Sequence, residues 1–208
     1  MQRGLTTTDP KNWFKNARVN NPDALEVIWQ PLYDSIVVPS DGSNALRLFQ
    51  NPIGQNNKTI ADTNMELGGQ IPKGQSFKCT GIEVLLLPAG AVYDAEVPTV
   101  SNDMQAFYGG GALRLQIGSK DFTTQAPLLR FPPSVRQGGY AAISTTATTI
   151  TQSIDYSSAC GREFSIVDLL LESSQNFNVT LLEVPSLPSG QDAMVFVTLN
   201  GYLARNQQ

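Results

Sequence analysis

A chain of 208 residues with 14 Lys+Arg, 18 Asp+Glu, no His and two Cys has the length of one ordinary domain. Without His there is no Ser-His-Asp or Cys-His nucleophile system and no imidazole metal ligand, and a net charge of -4 argues against wrapping nucleic acid with the whole surface. The hydrophobic share of 41% suffices for a core, while only 15% of residues are charged; 16 Thr, 16 Ser, 14 Asn and 15 Gln, punctuated by 13 Pro and 17 Gly, lean towards an all-β protein rather than a helical enzyme.

Taken in chain order, the first segment stands apart. Through Arg18 it carries Arg3, Lys11, Lys15 and Arg18 against Asp9 alone. Asp9-Pro10 is a good helix start, since Asp caps free N–H groups and Pro is tolerated at the first helical position. Trp13, Phe14 and Ala17 follow at helical spacing, with Lys15 and Arg18 near the end where the dipole favours cations. A helix this short is not stable alone and has to dock. The expectation is an N-terminal arm over 1–22 and a single domain over 23–208, with Arg3, Lys11, Trp13, Phe14, Lys15 and Arg18 as arm or subunit-contact residues. No apolar stretch in the first residues predicts a signal peptide, and no run is long enough to span a membrane.

From Leu25 onward the pattern is that of strands. Leu25, Val27 and Trp29 alternate with Glu26 and Gln30; Tyr33 to Val38 closes at Pro39 and the turn Ser40-Asp41-Gly42; Ala45 to Phe49 stops at Asn51-Pro52. Phe77 to Leu87 is long, with Ile82, Val84 and Leu86 on one face. Ala89 to Gly111, with Pro98, Asn102 and three glycines, reads as a long surface loop, and no amphipathic helix of more than about ten residues is expected after Arg18. Tyr93, Phe107 and Tyr108 are its exposed aromatics, able to stack on a sugar, to pack the loop down or to contact a neighbour. Leu113, Leu115 and Ile117 alternate with Arg114 and Gln116, and Ser144 to Thr149 reads as an exposed strand or loop. Phe164 to Leu171, Phe177 to Val184 and Met194 to Leu203 are partly apolar on both faces, as suits strands covered by a second sheet and by a neighbour. Phe196 is expected in the core, so that Phe196→Asp would prevent folding.

Chemistry-bearing patterns are sparse. Gly109-Gly110-Gly111 lacks the Gly-Lys-Ser/Thr ending of a phosphate loop. Asp94 with Glu96, or Glu163 with Asp168, form no distinctive acid–base pair, and Asp41 with Asn44 or Asn102 with Asp103 read as turn residues rather than calcium ligands. Cys79 and Cys160 lie too far apart for a redox or zinc pair and read as buried thiols. No catalytic residue, metal, cofactor or small-molecule substrate is expected.

Two stretches carry a family likeness. Ala61-Asp62-Thr63-Asn64-Met65-Glu66-Leu67-Gly68-Gly69-Gln70-Ile71-Pro72, running on to Gln75-Ser76-Phe77-Lys78-Cys79-Thr80-Gly81-Ile82-Glu83-Val84, resembles the DTNM…GQ-P…F…GI-V stretch of capsid proteins of small tailless icosahedral bacteriophages. The C-terminal part, Glu172 to Val179 and then Val195 to Gln207 with Leu199-Asn200-Gly201-Tyr202-Leu203-Ala204-Arg205, is similar to their late strands. The resemblance implies a jelly-roll β-sandwich of eight antiparallel strands, a single roll at this length. It implies a structural virion protein that self-assembles into an icosahedral capsid, made in the host cytoplasm. Its partners would be copies of itself and other capsid proteins (penton or spike), with the arm touching genome or internal membrane non-specifically. The other reading of the β pattern is a carbohydrate- or receptor-binding sandwich of a spike or fibre head.

Overall fold

Pro31 has no N–H to give a ladder, and the first extended stretch breaks there. In the computed structural model, which describes residues 25–87, 98–118, 120–121, 125–131, 135–143, 150–158 and 164–206, the break separates β1 (Leu25–Trp29) from β2 (Leu32–Val38). Then come β3 (Ser43–Leu48), β4 (Gln75–Leu87), helix α1 (Pro98–Gly110), β5 (Ala112–Ile117), and the short β6 (Lys120–Asp121) and β7 (Ala126–Pro127). A 3-10 turn over Leu128–Arg130 leads to β8 (Val135–Ile143), β9 (Ile150–Ser158), β10 (Phe164–Leu171), β11 (Phe177–Val184) and β12 (Ala193–Asn206).

The described residues form a mostly β structure in two antiparallel sheets plus a hairpin. In the first sheet the long β12 has β4 along one side and β1 and β2 end to end along the other, and β10 flanks β4. In the second the order is β3-β11-β5, with β6 and β7 both on the far side of β5. Chain order thus shuttles between the sheets: β2 to β3, β4 to β5, β10 to β11, β11 to β12.

Alternation sets what each sheet buries. On β12, Val195, Val197 and Leu199 lie opposite Leu86, Val84 and Ile82 of β4, all buried. On β11, Val179 sits between Leu48 and Leu115, and Leu181 between Leu46 and Leu113. These faces join Phe77, Phe107, Phe131 and Phe177 in one continuous core, each large side chain contributing roughly 1.5–3 kcal/mol on burial. At the β12 bulge beside Asn200, Gly201 is required by space: a Cβ there would stand 2.1 Å from the Lys78 carbonyl oxygen.

Two expectations need correction. The expected loop to Gly111 contains α1, a 13-residue helix opened by Pro98. Its glycines end it: the Gly111 N–H bonds the Phe107 carbonyl at 3.1 Å, and a Cβ at Gly111 would press to 2.6 Å from Leu128 Cδ1. Phe107 and Tyr108, expected as exposed loop residues, are therefore not exposed. Phe107 is fully buried, and Tyr108 meets it edge-on at 5.2 Å and is half-buried against the core. Polar residues and glycines make the helix weak by propensity, and it forms because these rings dock. The hairpin β8–β9, nine antiparallel pairs, was not among the expected strands; the tract 144–149, expected as an exposed strand or loop, lies outside the described residues.

Tyr108 closes an edge. β10 pairs with β4 only as far as Ile82. Beyond it the Tyr108 hydroxyl donates to the Val84 carbonyl at 3.0 Å and accepts from the Leu86 N–H at 3.1 Å, while the Val84 N–H donates to the Phe131 carbonyl at 3.2 Å. Backbone groups that would otherwise invite another strand are occupied. Burial pushes the Tyr108 phenol above its ordinary 10.0, against the smaller opposing effect of the Leu86 N–H. The folded state thus holds the proton longer than the unfolded chain, so this contribution to stability is complete below pH 10 and is lost as pH rises through the folded value. Tyr108→Phe is expected to lose about 1–3 kcal/mol at neutral pH, from the two unsatisfied backbone groups. The variant should also show a shallower stability loss above pH 10 than the parent, read from urea melts at both pH values.

Candidate functional site

The arm residues Arg3, Lys11, Trp13, Phe14, Lys15 and Arg18, and Tyr93 of the expected loop, lie outside the described residues; so do Cys160, Asp94, Glu96 and Glu163. Among the described residues, no group of three or more His, Cys, Asp or Glu could hold a metal ion, and no helix is long and apolar enough to cross a membrane. Cys79 is buried, its thiol donating to the Gly81 carbonyl at 3.3 Å. Asn102 and Asp103, expected in a turn, lie within α1, and Asp103 is buried and accepts from the Ser189 N–H at 2.8 Å.

The segment that carries the first likeness has a definite task. Its first part, 61–72, belongs to the long β3–β4 connection, 49–74, which lies along the outer edge of β2, and the rest is β4. Asn64 acts as a surrogate strand, its Oδ1 accepting from the Tyr33 N–H at 2.9 Å and its Nδ2 donating to the Pro31 carbonyl at 2.7 Å. The Thr63 hydroxyl donates to the Tyr33 carbonyl at 3.1 Å. Asp62 caps its own turn by accepting from the Thr59 N–H and hydroxyl, both at 2.8 Å; that backbone bond, then the hydroxyl, holds its carboxyl below the ordinary 3.8. Lys58 reaches inward: its ammonium pairs with the buried Asp34 carboxylate and donates to the Ser35 carbonyl at 2.6 Å. The other Asp34 oxygen accepts from the N–H of Phe49, a buried residue at φ 64°, in the left-handed region that bulky side chains avoid.

The two stretches of the likeness meet in space. Gln70 bridges to Asn176, Ile71 to Ser173, and the Phe177 N–H donates to the Gly69 carbonyl at 2.8 Å. Segments a hundred residues apart thus lace one end of the two sheets together, leaving function to the outward faces.

On the first sheet's outward face, register places Met194 between Leu87 and Val37, and Phe196 beside Leu85. Leu85, Leu87, Met194 and Phe196 are half-buried and Val37 is exposed, so an apolar row looks out of the domain. Farther along, Trp29 is 66% exposed opposite Tyr202. Between that row and Trp29 the same face carries Glu83 opposite Thr198 and Lys78 opposite Tyr202, so the apolar row is confined to the Met194–Phe196 end. Phe196 belongs to this outward row and not to the core, which corrects the expectation made for it; its neighbours Val195 and Val197 point inward. The second sheet's outward face carries Arg47, Thr180 and Arg114 in one cross-strand row. Alternation had put Arg114 on the polar side of its strand, but its alignment with Arg47 across Thr180 needs the register, which no local pattern records.

Two comparisons with known proteins are negative: no family model and no curated protein matches the chain. A crystal structure of the 60-mer BFDV capsid protein is similar over 88% of this chain and 95% of that chain, at 12% identity and a TM-score of 0.30. A likeness at that score carries no argument, and what the chain does has to be argued from its own strand order and surfaces.

Proposed function

We propose that the chain is a structural protein of a tailless icosahedral bacteriophage, a single jelly roll that assembles with copies of itself, and with penton or spike proteins, into the virion shell. The observation that carries the reading is the strand order. Taking β1 and β2 as one interrupted strand, β1/β2-β12-β4-β10 against β3-β11-β5-β6/β7 supports a jelly roll, whose chain exchanges between two sheets. The likeness of 61–84 and 172–207 to phage capsid proteins supports the same reading, as does an outward row of apolar side chains on a domain whose β2 and β4 edges are closed. Edges blocked by Asn64 and Tyr108 favour side-by-side packing of faces over strand addition. The reading is non-enzymatic, in keeping with a chain without His. The basic segment through Arg18 is taken as an inward tether, with genome or membrane contact secondary.

A second reading is favoured by Trp29, exposed opposite Tyr202 as a sugar-stacking ring would be: the head of a spike or fibre. Negative-stain microscopy of the purified chain, paired with a glycan array, separates the two. Shells or capsomer sheets with no glycan retained are the expected result; a discrete small oligomer that retains glycans would favour the spike.

A further inference from the structure

Resting on the reading that copies of this chain associate, we propose that they do so head to tail by charge: the acidic end of one copy seats on the Arg47–Arg114 face of the next. Arg47 and Arg114 flank Thr180 from either side, which sets their Cα atoms about 10 Å apart, two strand spacings, on one face. Thr180 between them is 2% exposed. Arg47 is exposed and Arg114 half-buried, with an Nε that is buried and has no hydrogen-bond partner. Among the described residues, neither guanidinium is in an ion pair or hydrogen bond. A desolvated guanidinium edge without an acceptor is costly in the separate subunit and is satisfied by an incoming carboxylate, which arginine takes bidentately.

The chain supplies the complement. Asp41 is in the β2–β3 turn, Glu183 at the end of β11 and Asp192 just before β12, all three exposed. They share one end of the domain: the Asp192 carboxylate accepts from the Ser40 N–H at 2.8 Å, and Gly42 lies so close to β11 that a Cβ there would stand 2.6 Å from the Val184 carbonyl oxygen. Among the described residues, Asp41, Glu183 and Asp192 too are in no ion pair. An end meeting a face is a heterologous contact, the kind that closes into rings or runs on. Two cations are too few for a nucleic-acid track, which takes roughly 6–10 phosphate contacts, so protein carboxylates are the fitting occupant.

The test uses charge exchange in the full-length chain. Arg47→Glu with Arg114→Glu makes both surfaces acidic, and Asp41→Lys with Glu183→Lys makes both basic; Asp192 is left alone because it holds the turn. Each double variant alone is expected to keep the parent's melting temperature and to associate at least tenfold more weakly in sedimentation velocity. An equimolar mixture, where every acidic end finds a basic face, is expected to associate again, more weakly as salt rises. If the parent associates and either double variant associates as well as it does, or the mixture fails to recover, the charge contact is wrong while the assembly reading stands. If the parent never associates, the assembly reading fails first. Association of the parent only with added nucleic acid, lost in the arginine variant, would overturn the carboxylate occupant in favour of phosphate.

Discussion

Replacing Asp34 with Ala is expected to cost about 3–5 kcal/mol of folding stability, the usual effect of stripping one partner from a buried ion pair. The carboxylate is 1% exposed and joins three parts of the chain. It neutralises Lys58, which has come in from the long β3–β4 connection. It also gives an acceptor to Phe49, whose left-handed backbone costs roughly 1–3 kcal/mol and persists only where its surroundings hold it. Without Asp34 an ammonium is left in a site 14% exposed, bonded to the Ser35 carbonyl and with the Asp62 carboxylate as its remaining nearby anion. Adding Lys58→Met to Asp34→Ala should recover part of the loss, because the uncompensated charge goes while the Phe49 N–H still lacks its acceptor. Urea midpoints of the four proteins read this coupling. Equal stability of parent and Asp34→Ala would mean that the clamp does not hold the loop.

The second large effect separates neighbours on β12. Val197 is fully buried and lies opposite Val84 on one side and the already buried Asp34 on the other. Val197→Asp would therefore place a second carboxylate beside one whose only cation is Lys58, and no folded protein is expected. Phe196→Asp puts the same charge on the outward row beside Leu85, where water is at hand. That variant is expected to fold with the parent's circular dichroism and a melting temperature within a few degrees, and to lose association. Expression in the soluble fraction followed by size-exclusion chromatography decides the pair. A soluble, folded Val197→Asp variant, or an insoluble Phe196→Asp one, would reverse the assignment of the two faces.

That pair also shows where reading the sequence stops. The strand at Met194 to Leu203 was evident from its apolar density, but a stretch apolar on both faces does not say which face meets the core. Only the pairing of Val195, Val197 and Leu199 with Leu86, Val84 and Ile82 does so. The strands Phe77 to Leu87 and Leu113 to Ile117 were legible because one face is buried and period two survives in the residues; in β1 the faces are reversed, since Trp29, read as apolar-side with Leu25 and Val27, is exposed while Ile28 packs on the core. Helix α1 was hidden by its Pro, Asn and Gly content, and what stabilises it, Phe107 in the core and Tyr108 on the β4 edge, is tertiary. The hairpin β8–β9 was missed because Gly138-Gly139 and a Ser/Thr-rich sequence weaken the strand signal on either side of 144–149. Of the surfaces, a single residue such as Arg114 could be assigned a side of its strand, whereas the row Arg47–Thr180–Arg114 joins three strands far apart in the chain.

The central claim is that this domain is a building block, complete in its core and unfinished on its faces. The most direct test is the mass of the full-length chain in solution, by sedimentation velocity across a wide concentration range at low and moderate salt. The account expects a cooperative shift from the 22.5 kDa subunit to closed particles of many copies as concentration rises. A single species at the subunit mass at every concentration, stable and folded, would contradict it.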